Sequence, residues 1–418
     1  MPHAVKHGDG SLMSSTEKYE ELLNIYDDEE AIAKFQPQDF KHEVVVDAKT
    51  GKVRQAGTVS PSGEFIDRIT RRCENDLHVF SKAIMGRDYL TKTLHLPICN
   101  FLQKTPPFRK LLLLPRDHAK TSIVAHCLPP HIIIQPAKSN IYFPGWNGSE
   151  MRILLAGETE GMASRNLRVI QAVWEGNHLF RALWPHVCWN KPKSEAGKWN
   201  NTDMIVPRET AWPDSTVRAV GVGGAITGSR PTVLIKDDLV SIEAANSETV
   251  MQTAIDWHIA SRALMEEYEK DTGMESLEFI IGTRWAVWDL YEYIIQNDPT
   301  VETVIKAIIE DGNPIWPERF DQPRVDQLQR EFGSMFWLLY MNSAANPELS
   351  DFDMDKIRFF EFQGEQIVFD QTEDDYLLED KWKRKPEGGV KVPRGARLKD
   401  TWQHILGRGR GEYFRLRY

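Results

Sequence analysis

Long apolar runs are missing from this sequence. The longest unbroken stretches, such as the leucines at Leu111 to Leu114, fall far short of the ~18 apolar residues a bilayer-spanning helix needs, so no membrane role is expected. Cysteine is scarce too. Cys73, Cys99, Cys127 and Cys188 lie far apart with no CxxC pair, which argues against a disulfide framework or a zinc site and suits a reducing cytoplasm. Met1 to Thr16 lacks the apolar core of a secretory leader, so the chain is expected to stay where it is made. Apolar material overall is not short. Hydrophobic residues are 41% of 418, a globular share with room for two or three domains, which excludes a wholly disordered or fibrous protein.

Charge is unevenly spread. From Lys381 to Tyr418 twelve Lys/Arg face three Asp/Glu, a local +9 within a total of −10. A basic tail of this kind suits contact with nucleic acid or simple solvation, and an acidic body does not exclude DNA binding, since phosphate contact depends on local patches.

The spacing of apolar residues predicts a surface helix over Tyr19 to Phe35 and a hairpin around Val44 to Gly57, turning at Lys49 to Gly51. No repeat is present. From Leu77 the pattern changes. A helix is predicted over Leu77–Leu102, followed by buried strands at Lys110–Leu114, Arg152–Ala156, Thr216–Val222, Thr232–Ile235, Leu277–Ile281 and Thr303–Ile309. Helical segments fall between and after them at Lys120–His131, Gly161–Glu175, Asn246–Glu269, Trp288–Gln296 and Gln322–Phe332. Strands alternating with helices predict an α/β fold with a twisted, mostly parallel sheet flanked by helices. The expected organisation is an N-terminal extension over 1–75, a catalytic domain over 76–347, an acidic linker over 348–380 and a basic, flexible tail over 381–418.

Two strand ends carry the chemistry. In KLLLLPRDHAKTSIVA, Lys110 to Ala125, an apolar strand runs into a tight connection and then Lys-Thr-Ser at a helix start. A phosphate suits such a place: free N–H groups point outward, the helix dipole is positive, and Lys120 can reach the outer phosphates. Thr121 is placed to ligate Mg²⁺. The pattern GxxxxGK[ST] fails, because Leu114 and Ala119 stand where glycines belong. The second strand end, PTVLIKDDL at Pro231 to Leu239, presents two adjacent acids to the same sheet edge. Asp237 is the metal-holding candidate and Asp238 the candidate for polarising the attacking water. LEFIIGTRW, Leu277 to Trp285, brings Thr283 and Arg284 to a third strand end, where a hydroxyl can sense the γ-phosphate and relay the change. The glycine-rich Gly221 to Pro231 ends in Arg230, a candidate for stabilising developing phosphate charge. Arg116 lies in the phosphate loop itself. His118 is expected to be a solvent-exposed loop residue able to touch phosphate, and Trp174, Trp184, Trp189 and Trp199 are expected to pack in the core.

The series LLLLPRDHAKTS, RILLAGETEGMASRNLRVIQAVWEGNHLF, GAITGSRPTVLIKDDLV, FIIGTRWAVWDLYEYI and IWPERF resembles the large terminase subunit of tailed phages, from about Asp76 to Pro347. The resemblance implies a P-loop NTPase-like ATPase that pumps double-stranded DNA, without sequence preference, into a procapsid. ATP would be held by Arg116, Asp117, His118, Ala119, Lys120, Thr121 and Ser122. Mg²⁺ would be held by Thr121 and Asp237. Asp238, Arg116 and Arg230 would be catalytic, and Gly282, Thr283 and Arg284 would couple hydrolysis to movement. In that family an Arg commonly stands four residues before the Lys, as Arg116 does here, which accounts for the missing glycines; most relatives carry Glu where Asp238 stands. The base-reading residue is sought in Leu96 to Arg109. The implied partners are the portal protein, a small terminase subunit and further copies of this chain in a ring, in the host cytoplasm and transiently at the procapsid portal vertex.

The family's nuclease domain has no match here. The acids Asp353, Asp355, Asp370, Asp374 and Asp375 cluster in an irregular segment, read as a solvated linker, whereas a two-metal nuclease gathers acids from distant strands. The 66 residues from Asp353 to Tyr418 are few beside a usual domain of about 100–150. The rival readings are a terminase-type endonuclease with a secondary ATPase, and a nucleotide- or DNA-binding docking protein that turns nothing over.

Overall fold

The computed structural model describes residues 44–46, 53–55, 63–266, 275–286, 288–343, 360–363 and 366–369. The chain divides into two compact units, Met1–Ala345 and Asn346–Tyr418. The segment Tyr19 to Phe35, the listed acids from Asp353 onward and the basic tail lie outside the described residues.

In the first unit, β1 (Val44–Val46) pairs antiparallel with β2 (Val53–Gln55), Val44 opposite Gln55, as the hairpin pattern predicts. The central sheet contains β3 (Arg109–Leu113), β4 (Ile153–Gly157), β5 (Asp203–Met204), β6 (Val217–Gly221), β7 (Val233–Asp237), β8 (Leu277–Gly282) and β9 (Glu302–Ile305). Their order is β5-β6-β4-β7-β8-β3-β9, and every pairing is parallel except that of the short β5 with β6. A small antiparallel ladder follows, β10 (Ile309–Glu310) with β11 (Asn313–Pro314). In the second unit β12 (Phe360–Gln363) pairs antiparallel with β13 (Gln366–Phe369), Phe360 opposite Phe369.

Because side chains alternate along a strand, each central strand feeds two cores. Leu112, Leu155, Ile235 and Phe279 pack on one face, with Ile98, Ile123, Leu128 and Leu167 from the helical segments there. Leu111, Leu113, Leu154, Leu234 and Ile280 pack on the other, with Met251, Ile255 and Ile294 from the helices Glu248–Arg262 and Leu290–Asn297. A strand buried on both sides must be apolar at nearly every position, and this makes β3, β4, β6, β7 and β8 visible as apolar runs, whereas β9 at the sheet edge is exposed at both its ends.

Three helical expectations need correction, the first only in length: the helix predicted over Asn246–Glu269 spans Glu248–Arg262. The predicted helix Leu77–Leu102 is two helices, Leu77–Ala83 and His95–Gln103. Between them Gly86 takes φ 66°, a left-handed turn a helix cannot carry through. The segment Lys120–His131 begins as a π-helical turn over Ser122–Cys127 and continues as the α-helix Leu128–Ile133. The core also starts earlier than the apolar pattern suggests: Ile69 and Cys73, on the helix Gly63–Asn75, are buried. Trp174 and Trp184 are fully buried core residues, as expected, and their indoles donate to Val187 O and Glu74 Oε1, whereas Trp189 and Trp199 are only half-buried.

Candidate functional site

Parallel strands all end on one edge of the sheet. The residues just past β3, β4, β7 and β8 therefore meet around a single cleft of about 600 Å³, within the 300–1,000 Å³ usual for small-molecule sites. Lys120 and the acid pair, distant in sequence, converge there. Lys120 is 7% exposed; its Nζ donates to Thr283 Oγ1 at 2.7 Å and lies 3.7 Å from Asp238 Oδ2. Thr121 Oγ1 donates to Asp237 Oδ1 at 2.9 Å, and Asn166 Nδ2 donates to Asp237 Oδ2 at 2.8 Å. His126 Nε2 in turn donates to Asn166 Oδ1 at 3.0 Å. Burial, reinforced by the neighbouring charge of Asp238, pushes the Asp237 carboxyl well above the usual carboxylate range, and the hydrogen bond from Thr121 opposes this.

One strand, β8, stands between the lysine strand β3 and the acid strand β7. Its end brings Thr283 to Lys120 from the adjacent strand, while Asp238 reaches it from one strand further along the same edge. The segment Arg152 to Glu175, which separates lysine and acids along the chain, supplies β4 on the far side of β7 instead.

The loop's backbone accounts for the absent glycines. Asp117 and Ala119 adopt φ 63° and 64°, so position 119 holds the left-handed turn with an alanine, where the usual pattern has glycine. Loops that mix left- and right-handed residues turn their N–H groups inward and form an anion-binding concavity. Arg116, Asp117, His118, Ala119, Lys120, Thr121 and Ser122 all line the cleft.

His118 corrects an expectation: it is fully buried rather than exposed. Its ring stacks on Phe320 at 4.6 Å and meets Trp316 edge-on at 5.7 Å. Nδ1 donates to Arg116 O at 2.9 Å, which leaves Nε2 unprotonated and without a partner. Burial lowers its pKa to about 4, so the ring is a neutral wedge behind the loop. The loop is braced a second time by Arg116 N–H donating to Leu339 O at 2.9 Å.

Arg230 is not brought to the site. It precedes β7, and residues before a parallel strand lie at the edge opposite those after it. Seven positions separate it from Asp237, five of them β7 itself at about 3.3 Å each. Its N–H donates to Asp214 Oδ2 at 2.9 Å, just before β6. Arg284 is equally committed elsewhere: Nε bonds Asp289 Oδ2 at 3.0 Å and a terminal nitrogen pairs with Glu292 at 2.9 Å. Gly282 acts through shape, since a Cβ there would overlap the Tyr291 phenol, which is buried and packs against the end of β8. Of the arginines considered, Arg116 alone lines the cleft, and its side chain is exposed.

None of Leu96 to Arg109 lines the cleft. Tyr89 and Arg319 do; nothing in its local sequence marks Tyr89, whereas Arg319 lies within IWPERF, which carries part of the resemblance but no predicted site residue. Glu158 and Asn166 are further residues that motif reading missed. Glu158 carried a usable signal, as the first acid after the apolar run ILLAG.

Mg²⁺ is implied for such a site. The oxygens of Thr121 and Asp237, with the buried, unpartnered Asp238 Oδ1, form a hard oxygen set that suits it. Among the described residues no group of three or more His, Cys, Asp or Glu could hold a metal alone. Among the described residues no helix is long and apolar enough to cross a membrane.

No protein-family model matches this chain, and no curated protein matches it. Among solved structures, the crystal structure of the HK97 bacteriophage large terminase aligns at 14% identity with a TM-score of 0.42, over 65% of this chain and 55% of that one. The chain thus spans little more than half the length of that terminase.

Proposed function

We propose that this chain is the ATP-hydrolysing part of a terminase-type motor that drives double-stranded DNA into a procapsid. The observation that carries the ATPase part is the convergence of Lys120, Thr121, Asp237, Asp238 and Thr283 at one cleft. The DNA-moving part rests on the sequence resemblance.

In this reading the β- and γ-phosphates lie on the loop 116–122, where N–H groups and the Lys120 ammonium offset their charge. Thr121 and Asp237 hold the Mg²⁺ that accompanies the nucleotide and neutralises phosphate charge. Water attacks the γ-phosphorus in line, and a carboxylate at the strand edge accepts its proton. Arg116 is the arginine positioned to stabilise charge on the phosphates. Lys120 would exchange Thr283 and Asp238 for phosphate oxygens, so occupancy of the cleft is felt directly at the end of β8. That contact is the physical basis for a coupling role of Thr283.

DNA contact would be dominated by phosphates and weaken steeply with salt. Force requires neighbours, so the motor would act as a ring of copies on a portal protein, loaded by a small terminase subunit in the host cytoplasm. The test is phosphate release with and without DNA from the wild type, Lys120→Ala and Asp238→Asn. Wild-type turnover that DNA stimulates and both substitutions reduce is expected. Equal rates in all three would end the motor reading and favour a docking protein.

A further inference from the structure

We propose that Glu158, rather than Asp238, takes the proton from the water that attacks the terminal phosphate; this assignment rests on the ATPase reading of the cleft. β4 lies beside β7, and the register sets Gly157 opposite Asp237. Glu158 is therefore the first residue past its strand, level with Asp238, and its half-buried side chain lines the same cleft.

Two features separate the carboxylates. Asp238 is already committed at both oxygens: its Oδ2 is drawn to Lys120 at 3.7 Å, its Oδ1 belongs to the oxygen set that suits Mg²⁺, and its backbone is held at φ 45° with its N–H donating to Ile281 O at 3.0 Å. Glu158 instead receives a short hydrogen bond from Ser241 Oγ to its Oε1. Ser241 also lines the cleft and is fixed in turn, its Oγ accepting the Glu243 N–H at 3.3 Å. A base oriented by a third group, with one oxygen anchored and the other left for water, is the arrangement that activates a nucleophile. Glu158 also reaches about 1.5 Å further than an aspartate, by one carbon–carbon bond.

In the step itself, the water oxygen bonds to the γ-phosphorus as the bond from that phosphorus to the β–γ bridging oxygen breaks. The electron pair leaves with ADP. The water's proton passes to the Glu158 carboxylate and from there to the released phosphate or to solvent.

The experiment measures kcat for phosphate release and the Kd of a fluorescent ATP analogue with Mg²⁺, for the wild type, Glu158→Gln, Asp238→Asn and Ser241→Ala. Loss of a general base costs roughly 10²- to 10⁴-fold. Glu158→Gln is expected to lower kcat at least about 100-fold with Kd within about threefold of the wild type, which also shows that the variant folds. Asp238→Asn is expected to lose only about tenfold, and Ser241→Ala to lose kcat without losing binding. A Glu158→Gln enzyme that keeps more than about a third of wild-type turnover overturns this assignment while leaving the ATPase reading intact. A wild type that binds the analogue yet hydrolyses nothing overturns both.

Discussion

Replacing Asp238 with asparagine should tighten nucleotide binding while slowing turnover. In the structure the Lys120 ammonium is 3.7 Å from the Asp238 carboxylate. At an effective dielectric of ~20 that separation corresponds to about 4 kcal/mol of attraction. The lysine side chain is 8% exposed but the aspartate 32%, so solvent screening reduces the net value to about 1–2 kcal/mol. An incoming triphosphate must displace this carboxylate as the lysine's partner and then sit beside a like charge. Asparagine keeps the side chain's shape and removes both costs. The Kd for ATP should therefore fall roughly 5- to 30-fold. Fluorescence titration of wild type and Asp238→Asn with a labelled ATP analogue, at matched ionic strength, reads this directly. The gap should narrow as salt rises from about 50 to 300 mM, because the exposed part of the interaction is screened. An unchanged or weaker affinity in the variant would refute the reasoning and show that Asp238 chiefly assists binding.

Acid should destabilise the fold through buried imidazoles. His95, His118 and His131 are each fully buried, and burial depresses their pKa values to about 3, 4 and 3. A histidine depressed in the folded state favours folding fully above its unfolded value of ~6.5 and loses that stability as pH falls toward its folded value. At pH 5 the loss is about 2 kcal/mol each and about 6 kcal/mol together, offset only in part by Asp237, whose raised carboxyl favours the fold as pH falls, and the remainder is still a large part of an ordinary domain's stability. Urea unfolding at pH 7.5 and pH 5 measures it, and equal free energies at the two values would rule it out. Ala119→Gly should stabilise the chain slightly. Relief of a left-handed alanine is worth about 1–2 kcal/mol, against about 0.4–1 kcal/mol of added chain entropy in the unfolded state. A Tm rise of about 2 °C follows, and a fall would show that Ala119 is not strained.

The strands β3, β4, β6, β7 and β8 are legible because burial on both faces leaves an apolar run at each, while the short β5 and the exposed β9 leave none. The place of the loop 116–122 at the cleft is legible because it follows such a run at a strand end. The order of strands across the sheet is not written in any local segment, so the position of β8 between lysine and acids, and with it the contact of Thr283 with Lys120, emerges only from the fold. Arg230 shows a different failure. Its closeness in sequence to the acid pair suggested a shared site, yet strand polarity alone carries a residue before β7 to the opposite edge. The burial of His118 depends on Trp316 and Phe320, far along the chain, and no feature of RDHAK announces it. Glu158 was within reach of the same rule that identified Asp237, an acid closing an apolar strand.

The wedge behind the phosphate loop has a consequence for how the protein is made. His118 leans on Phe320, and the Arg116 amide is pinned by the Leu339 carbonyl. Both supports are synthesised long after the loop has left the ribosome. Until they arrive, nothing holds the loop's outer side against water, and its inward-turned amides have no fixed shape. On the ATPase reading, a nascent chain that already carries Lys120, Asp237 and Asp238 would bind nucleotide only after the Trp316–Leu339 stretch folds back, and turnover would wait for this part of the molecule.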